Sequence, residues 1–127
     1  MVALESNPKR KFTHAEIAFF EMWWRNQTVE TKRRVRDLVS TGQLEFVNGG
    51  WIASDEACPI YSEILHNIQV GHDFLARELF VPAPKVAWHM DSFGHSATLA
   101  RAFEELGFDA LFYSRMNETL KTTFKET

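Results

Sequence analysis

Three short apolar segments alternate with segments of helical periodicity, and this alternation limits the folds open to the chain. The apolar segments cover residues 44–47, 85–88 and 110–113. Apolar residues that recur at helical spacing predict helices ending near residue 24 and spanning about 28–40, 59–80 and 97–106. Strands that alternate with helices pair in parallel through right-handed crossovers. The sequence therefore predicts one α/β domain over residues 1–127, with a parallel sheet and flanking helices.

Local signals predict where several of these helices begin and end. Thr13 and Glu16 have the spacing of a capping box, so residues 1–12 are expected to be a loose segment before the first helix. Gly42 and Gly107 fit the positions that follow helix C-termini. The basic residues of the second helix, at 32–34 and 36, are expected to form a solvated face.

Composition excludes several classes of function. Fourteen basic and seventeen acidic residues give a net charge of −3, and no basic stripe indicates a nucleic-acid partner. No apolar stretch is long enough to predict a membrane span, and the first twelve residues lack the apolar centre of a signal peptide. Cys58 is the single cysteine, which rules out a disulfide within the chain.

Polar side chains follow the predicted strands at the edge where parallel sheets bind ligands. Residues 48–55, residues 89–95 and Arg115 are therefore expected to lie close together. Asp91 is the strongest candidate, because it follows a buried strand and stands near Gly94, where a backbone can approach a ligand. It could act as a metal ligand, a nucleophile or a general base, or it could cap the following helix.

The other candidates leave alternatives open. His89 forms a His-x-Asp pair with Asp91, but zinc takes three or four ligands, and a histidine can instead bind nearby backbone. Arg115 could orient a carboxylate or bind a substrate oxygen, or form a surface salt bridge. Of the neighbours Asp55 and Glu56, at most one is expected to face the site, in a supporting role.

Residues 88–96 read Trp-His-Met-Asp-Ser-Phe-Gly-His-Ser. This run closely resembles the nucleophile motif of glycoside hydrolase family 38, the retaining α-mannosidases of lysosomal and Golgi type. The resemblance extends over about residues 10–117, through segments at 16–24, 35–39, 42–51, 55–57 and 107–109 in the same order.

The resemblance implies roles for two residues. Asp91 matches the family's catalytic nucleophile, which is also a ligand of the active-site zinc ion, and Arg115 matches an arginine that contacts the nucleophile and the substrate region. His89 does not match a zinc ligand of the family. The implied activity is retaining, zinc-assisted hydrolysis of terminal α-mannose from glycans, in the lysosome or another compartment of the secretory pathway.

The resemblance also implies that several groups lie outside these 127 residues: an upstream His-x-Asp zinc pair, the acid/base aspartate and a last zinc histidine. The chain is therefore expected to be an internal piece of a catalytic domain, and to be inactive in isolation. Two alternatives remain: a non-catalytic remnant that acts as a binding or interaction module, and another metal-dependent hydrolase such as a polysaccharide deacetylase.

Overall fold

The computed structural model describes residues 1–125. In chain order its elements are α1 (Val2–Glu5), β1 (Phe12–His14), α2 (Ile17–Trp24), α3 (Val29–Ser40), β2 (Leu44–Phe46), α4 (Tyr61–Phe74), β3 (Val86–His89), α5 (Ala97–Glu105), β4 (Ala110–Tyr113) and α6 (Glu118–Lys125). A π-helical turn, Leu75–Leu79, extends α4. Within residues 1–125, no helix combines the length and apolar character needed to cross a membrane.

The strands form two parallel pairs, so helices and parallel strands agree with the predicted α/β class. In the first pair β1 lies beside β2, and in the second β3 lies beside β4. The predicted single sheet is interrupted, because the chain leaves β2 through a left-handed conformation at Asn48, where φ is 57°. Asn48 nevertheless joins the pairs: its backbone N–H donates to the Val86 carbonyl (2.7 Å), and its Oδ1 accepts from the Trp88 N–H (3.2 Å).

The first strand, β1, was not predicted from the sequence, and the capping box proposed there is wrong. The Phe12 N–H donates to the Gln43 carbonyl (2.8 Å), and the His14 carbonyl accepts from the Val47 N–H (3.0 Å). These bonds hold residues 12–14 in extended backbone beside β2. Helix α2 begins only at Ile17, whose N–H donates to the Gly50 carbonyl (3.0 Å) instead of to a capping side chain.

Residues 1–12 are also more ordered than the sequence predicts, because the side chain of Gln43 binds their backbone carbonyl groups. Gln43 Nε2 donates to the carbonyl oxygens of Leu4 (2.9 Å) and Asn7 (3.1 Å), at the end of the short helix α1. Residues 116–127 received no assignment from sequence; helix α6 occupies most of them, and residues 126–127 lie outside the described residues.

The glycines predicted to follow two helix C-termini are confirmed. The prediction that the basic residues of α3 form a solvated face is confirmed only in part. Gly42 and Gly107 adopt positive φ values of 69° and 84° directly after the ends of α3 and α5. Arg33 pairs with exposed acidic side chains of the same helix, and Arg34 pairs with Glu5. Lys32 and Arg36, however, lie over the Trp24 ring at 5.0 and 5.4 Å. Half of the basic set therefore covers the aromatic core.

Most of the buried apolar side chains form two separate groups. The first contains Ile17, Phe20, Trp24, Val35, Leu38, Leu44, Phe46, Phe74, Leu75 and Leu79. The second contains Ile64, Ile68, Ala87, Leu99, Phe103 and Phe108. Helix α4 contributes to both, and the second group fixes β3 against α5. The position of the residues that follow β3 is therefore set by this second core.

Candidate functional site

An aspartate and an arginine meet at the carboxyl ends of β3 and β4. His89 and Tyr113, the last residues of these strands, are opposite each other in the parallel ladder. Asp91 and Arg115 each follow two residues later. Both Nε and Nη2 of Arg115 lie 2.7 Å from Asp91 Oδ1. The structure thus brings together the two residues that the sequence selected for one edge of the sheet.

This ion pair lies in the open, where it contributes little to stability. The Asp91 side chain is 82% exposed and that of Arg115 is 54% exposed. Pairs exposed to this extent contribute at most about 1 kcal/mol. The guanidinium also lies over the ring of Phe93, 4.9 Å from its centre. Because both nitrogen contacts meet Oδ1, they do not occupy Asp91 Oδ2, which is left to another partner.

Asp91 borders two concavities of the surface. One, of about 470 Å³, is lined by Asp91 and Arg115 together with other polar residues, among them Asn117 and Lys121. The other, of about 350 Å³, is lined by Glu16, Asn48, Asp55, Trp88, Met90, Asp91 and Phe93, among others. Carboxylate, amide and aromatic groups thus line these concavities together with the Asp91 carboxylate. Such a mixture suits a ligand with many hydroxyl groups and some apolar faces.

His89 faces the core and not the concavities. It is 2% exposed, and its Nε2 lies 2.9 Å from the carbonyl oxygen of Gly94. Its ring also contacts Phe103. The sequence left open whether His89 binds a metal or nearby backbone; the structure shows the backbone contact.

Asp91 alone does not make a metal centre. A carboxylate oxygen is a ligand that zinc accepts, but a zinc site takes three or four ligands. Across the part of the chain that the structure describes, no group of three or more His, Cys, Asp or Glu side chains could hold a metal ion. The described residues therefore do not complete a zinc site by themselves.

The neighbours Asp55 and Glu56 point in different directions, as the sequence predicts for adjacent residues. Asp55 lines the smaller concavity beside Asp91, and its Oδ1 accepts from the Ala57 N–H (3.2 Å). Glu56 turns toward the start of α5, where both of its carboxylate oxygens accept from the Ser96 N–H at 2.9 and 3.0 Å.

His72 and Asn67, which support this edge, were not identified from sequence, whereas Asn48 was predicted to lie there but without a role. Asn48 bridges the strand pairs, and its carbonyl oxygen lies 2.8 Å from His72 Nε2. Asn67 of α4 binds the backbone of Ile52 twice, accepting from its N–H (3.0 Å) and donating to its carbonyl (2.9 Å). An Asn or His within a periodic helix resembles any solvated residue. The turn predicted at residues 48–50 was the sequence feature that indicated a supporting contact at this edge.

Comparison with known proteins gives a consistent result. Residues 1–127 match the model of the glycosyl hydrolases family 38 N-terminal domain. The chain is 48% identical over 117 residues to a lysosomal α-mannosidase of Dictyostelium discoideum and 46% identical over 116 residues to that of Homo sapiens. It is 44% identical over 118 residues to an α-mannosidase of Canavalia ensiformis.

These matches cover most of the chain but a small part of each relative. The match covers 92% of this chain for the Dictyostelium discoideum and Canavalia ensiformis proteins and 91% for the Homo sapiens protein. It covers only 12% of the length of each of these relatives. The matched part contains both Asp91 and Arg115 within the family model.

Proposed function

Since this chain belongs to glycosyl hydrolase family 38, we propose that it supplies the nucleophile of an enzyme that hydrolyses terminal non-reducing α-D-mannose residues of glycans. The observation that carries the proposal is the accessible Asp91 carboxylate, held through one oxygen by Arg115 between two concavities. The names of its relatives, α-mannosidases of which two are lysosomal, support the substrate class. They also support the lysosome, or another compartment of the secretory pathway, as the location of the whole protein.

The proposed reaction is a double displacement with retention. Asp91 attacks the anomeric carbon, and the bond from this carbon to the leaving oxygen breaks while a second carboxylic acid protonates that oxygen. This step leaves the sugar esterified to Asp91. The same second group then takes a proton from water, which attacks the anomeric carbon and releases Asp91. The two carboxyl groups of such enzymes lie about 5–5.5 Å apart. The acid/base aspartate is proposed to lie outside these 127 residues.

Arg115 has a positioning and binding role in this scheme. Its two contacts with Oδ1 hold the carboxylate in one orientation, so Oδ2 can point toward the sugar. Fixed geometry of this kind lowers the entropic part of the barrier. The remaining N–H groups of the guanidinium can donate to a substrate oxygen.

Zinc is proposed as the cofactor, with Asp91 as one ligand and the other ligands outside the described residues. A bound zinc ion would supply positive charge that polarises and holds hydroxyl oxygens of the sugar.

The two concavities that Asp91 borders would also suit a second candidate function, that of a non-catalytic binding module. An assay of the purified protein, expressed together with the flanking sequence that its gene encodes, distinguishes the two proposals. We expect hydrolysis of an aryl α-mannoside but not of the β-mannoside, with α-mannose as the first product seen by NMR. A folded, zinc-supplied protein without turnover would support the binding module, and β-mannose as first product would contradict retention.

Replacing Arg115 tests its proposed role. Arg115→Lys keeps the charge but loses the planar guanidinium, whose Nε donates to Oδ1 while Nη2 stays 2.7 Å from the same oxygen, so kcat/KM for the α-mannoside should fall about 10- to 100-fold. Arg101→Lys is the matched control, because Arg101 pairs with exposed acids on α5. Unchanged kcat/KM in Arg115→Lys would show that the arginine does not position the nucleophile.

A further inference from the structure

The loop that carries Asp91 is held at its base by side chains that lie away from the two concavities. With 82% of its side chain exposed, Asp91 has little packing of its own to fix its direction. Apart from its contacts with Arg115, its position therefore depends on the backbone of residues 90–96. One end of this loop continues from β3, where His89 binds the Gly94 carbonyl. The other end enters α5 at Ser96.

Glu56 holds that second end. Both of its carboxylate oxygens accept from the Ser96 N–H, while Ser96 Oγ accepts from the Leu99 N–H (3.1 Å) to start α5. Glu56 also touches the loop at Gly94, where φ is 99°. A Cβ placed on Gly94 would lie 2.7 Å from the Glu56 Cβ, so no side chain fits between the two segments. Glu56 thus fixes how closely the loop approaches its own segment at Gly94 and the direction in which the loop enters α5 at Ser96.

Glu56 is itself anchored to α4. The residues before it are held by Asn67, whose side chain binds the backbone of Ile52 and lies 3.3 Å from Ser54 Oγ. Ser54 is buried. The Asp55 carbonyl accepts from the Cys58 N–H (3.0 Å), which closes a turn around Glu56. A continuous set of contacts therefore leads from the helix to the loop that carries Asp91.

We propose that Glu56 is a positioning residue for the nucleophile, an inference that rests on the function proposed above. Glu56 acts through the Ser96 N–H and Gly94. It lines neither of the two concavities that Asp91 borders, but a third one, together with His95 and Asn117. Displacement of a catalytic group by about 1 Å costs roughly 10²-fold in rate. Loss of this carboxylate therefore lowers kcat more than it alters KM.

The test compares Glu56→Ala with Glu56→Gln in the protein as its gene encodes it. Glu56→Ala should lower kcat for an α-mannoside about 10- to 100-fold, with KM changed less than kcat. Glu56→Gln should recover most of the loss, because its amide oxygen still accepts from the Ser96 N–H. Glu63→Ala is the matched control: Glu63 accepts from the Ile60 N–H (3.0 Å) at the start of α4, away from this loop.

Hydrogen exchange of the backbone amides makes the test independent of turnover. In Glu56→Ala, amides of residues 92–96 should exchange faster than in wild type, while those of α4 keep their rates. Unchanged exchange in the loop, or an equal loss of kcat in Glu63→Ala, would overturn the positioning role. An inactive wild type whose Glu56→Ala variant still shows faster loop exchange would refute the proposed hydrolysis and leave the anchoring role of Glu56 intact.

Discussion

Asp91→Asn should reduce kcat for an aryl α-mannoside by about 10³-fold or more, with little loss of stability. An amide oxygen is a poor nucleophile toward an anomeric carbon, so the covalent step fails even though the side chain keeps its shape. The pair with Arg115 is exposed, so its loss should change the free energy of unfolding by about 1 kcal/mol or less. Kinetic assays and urea denaturation of the same preparation measure both effects.

Asp109→Asn is the matched control for this substitution. Asp109 is exposed and precedes β4, at the opposite edge from Arg115. It should keep wild-type kcat and stability. An Asp91→Asn variant that retained most of its activity would exclude Asp91 as the nucleophile. A variant that lost activity only because it unfolded would show that Asp91 is needed for stability and not for the chemical step.

Gly71→Ala should destabilise the protein by about 3 kcal/mol or more, although alanine is the better helix former. Helix propensity alone would favour the alanine by about 1 kcal/mol. A Cβ on Gly71, however, would lie 2.8 Å from the Gly50 carbonyl carbon and closer still to the Gly49 carbonyl oxygen. Both neighbours are backbone atoms, so the helix and the turn at residues 48–50 must separate.

His66→Ala serves as the control for Gly71→Ala, because His66 is an exposed residue of the same helix. It should leave the urea midpoint near the wild-type value. Gly71→Ala should lower that midpoint strongly or prevent recovery of folded protein. Because the turn contains Asn48, surviving Gly71→Ala protein should also lose activity. Wild-type stability in this variant would contradict the close approach of α4 to the turn.

Local sequence signals predicted those features that depend on a few neighbouring residues. Gly42 and Gly107 follow helices with positive φ, and the apolar runs at 86–88 and 110–113 became neighbouring parallel strands. The meeting of Asp91 with Arg115 also followed from sequence, because parallel strands that end at one edge bring their next residues together.

Features that depend on distant partners could not be predicted in this way. The strand Phe12–His14 exists because β2 lies beside it, while its local pattern of Thr13 and Glu16 favours a helix start. The left-handed residue Asn48 interrupts the predicted sheet, and its bonds to residues about 40 positions away join the two strand pairs. The support from Glu56 to Ser96 spans a similar distance, so no local pattern shows it.

The proposed nucleophile is tested by identifying the residue that bonds to the sugar. The protein, expressed with its flanking gene sequence, is incubated with a fluorinated mannosyl fluoride whose glycosyl-enzyme turns over slowly, then digested and analysed by mass spectrometry. We predict one fluoromannosyl group, esterified to Asp91 and absent from Asp91→Asn. A label on another carboxylate, such as Asp55, or substrate turnover without any labelled peptide, would contradict the assignment of Asp91 as the nucleophile.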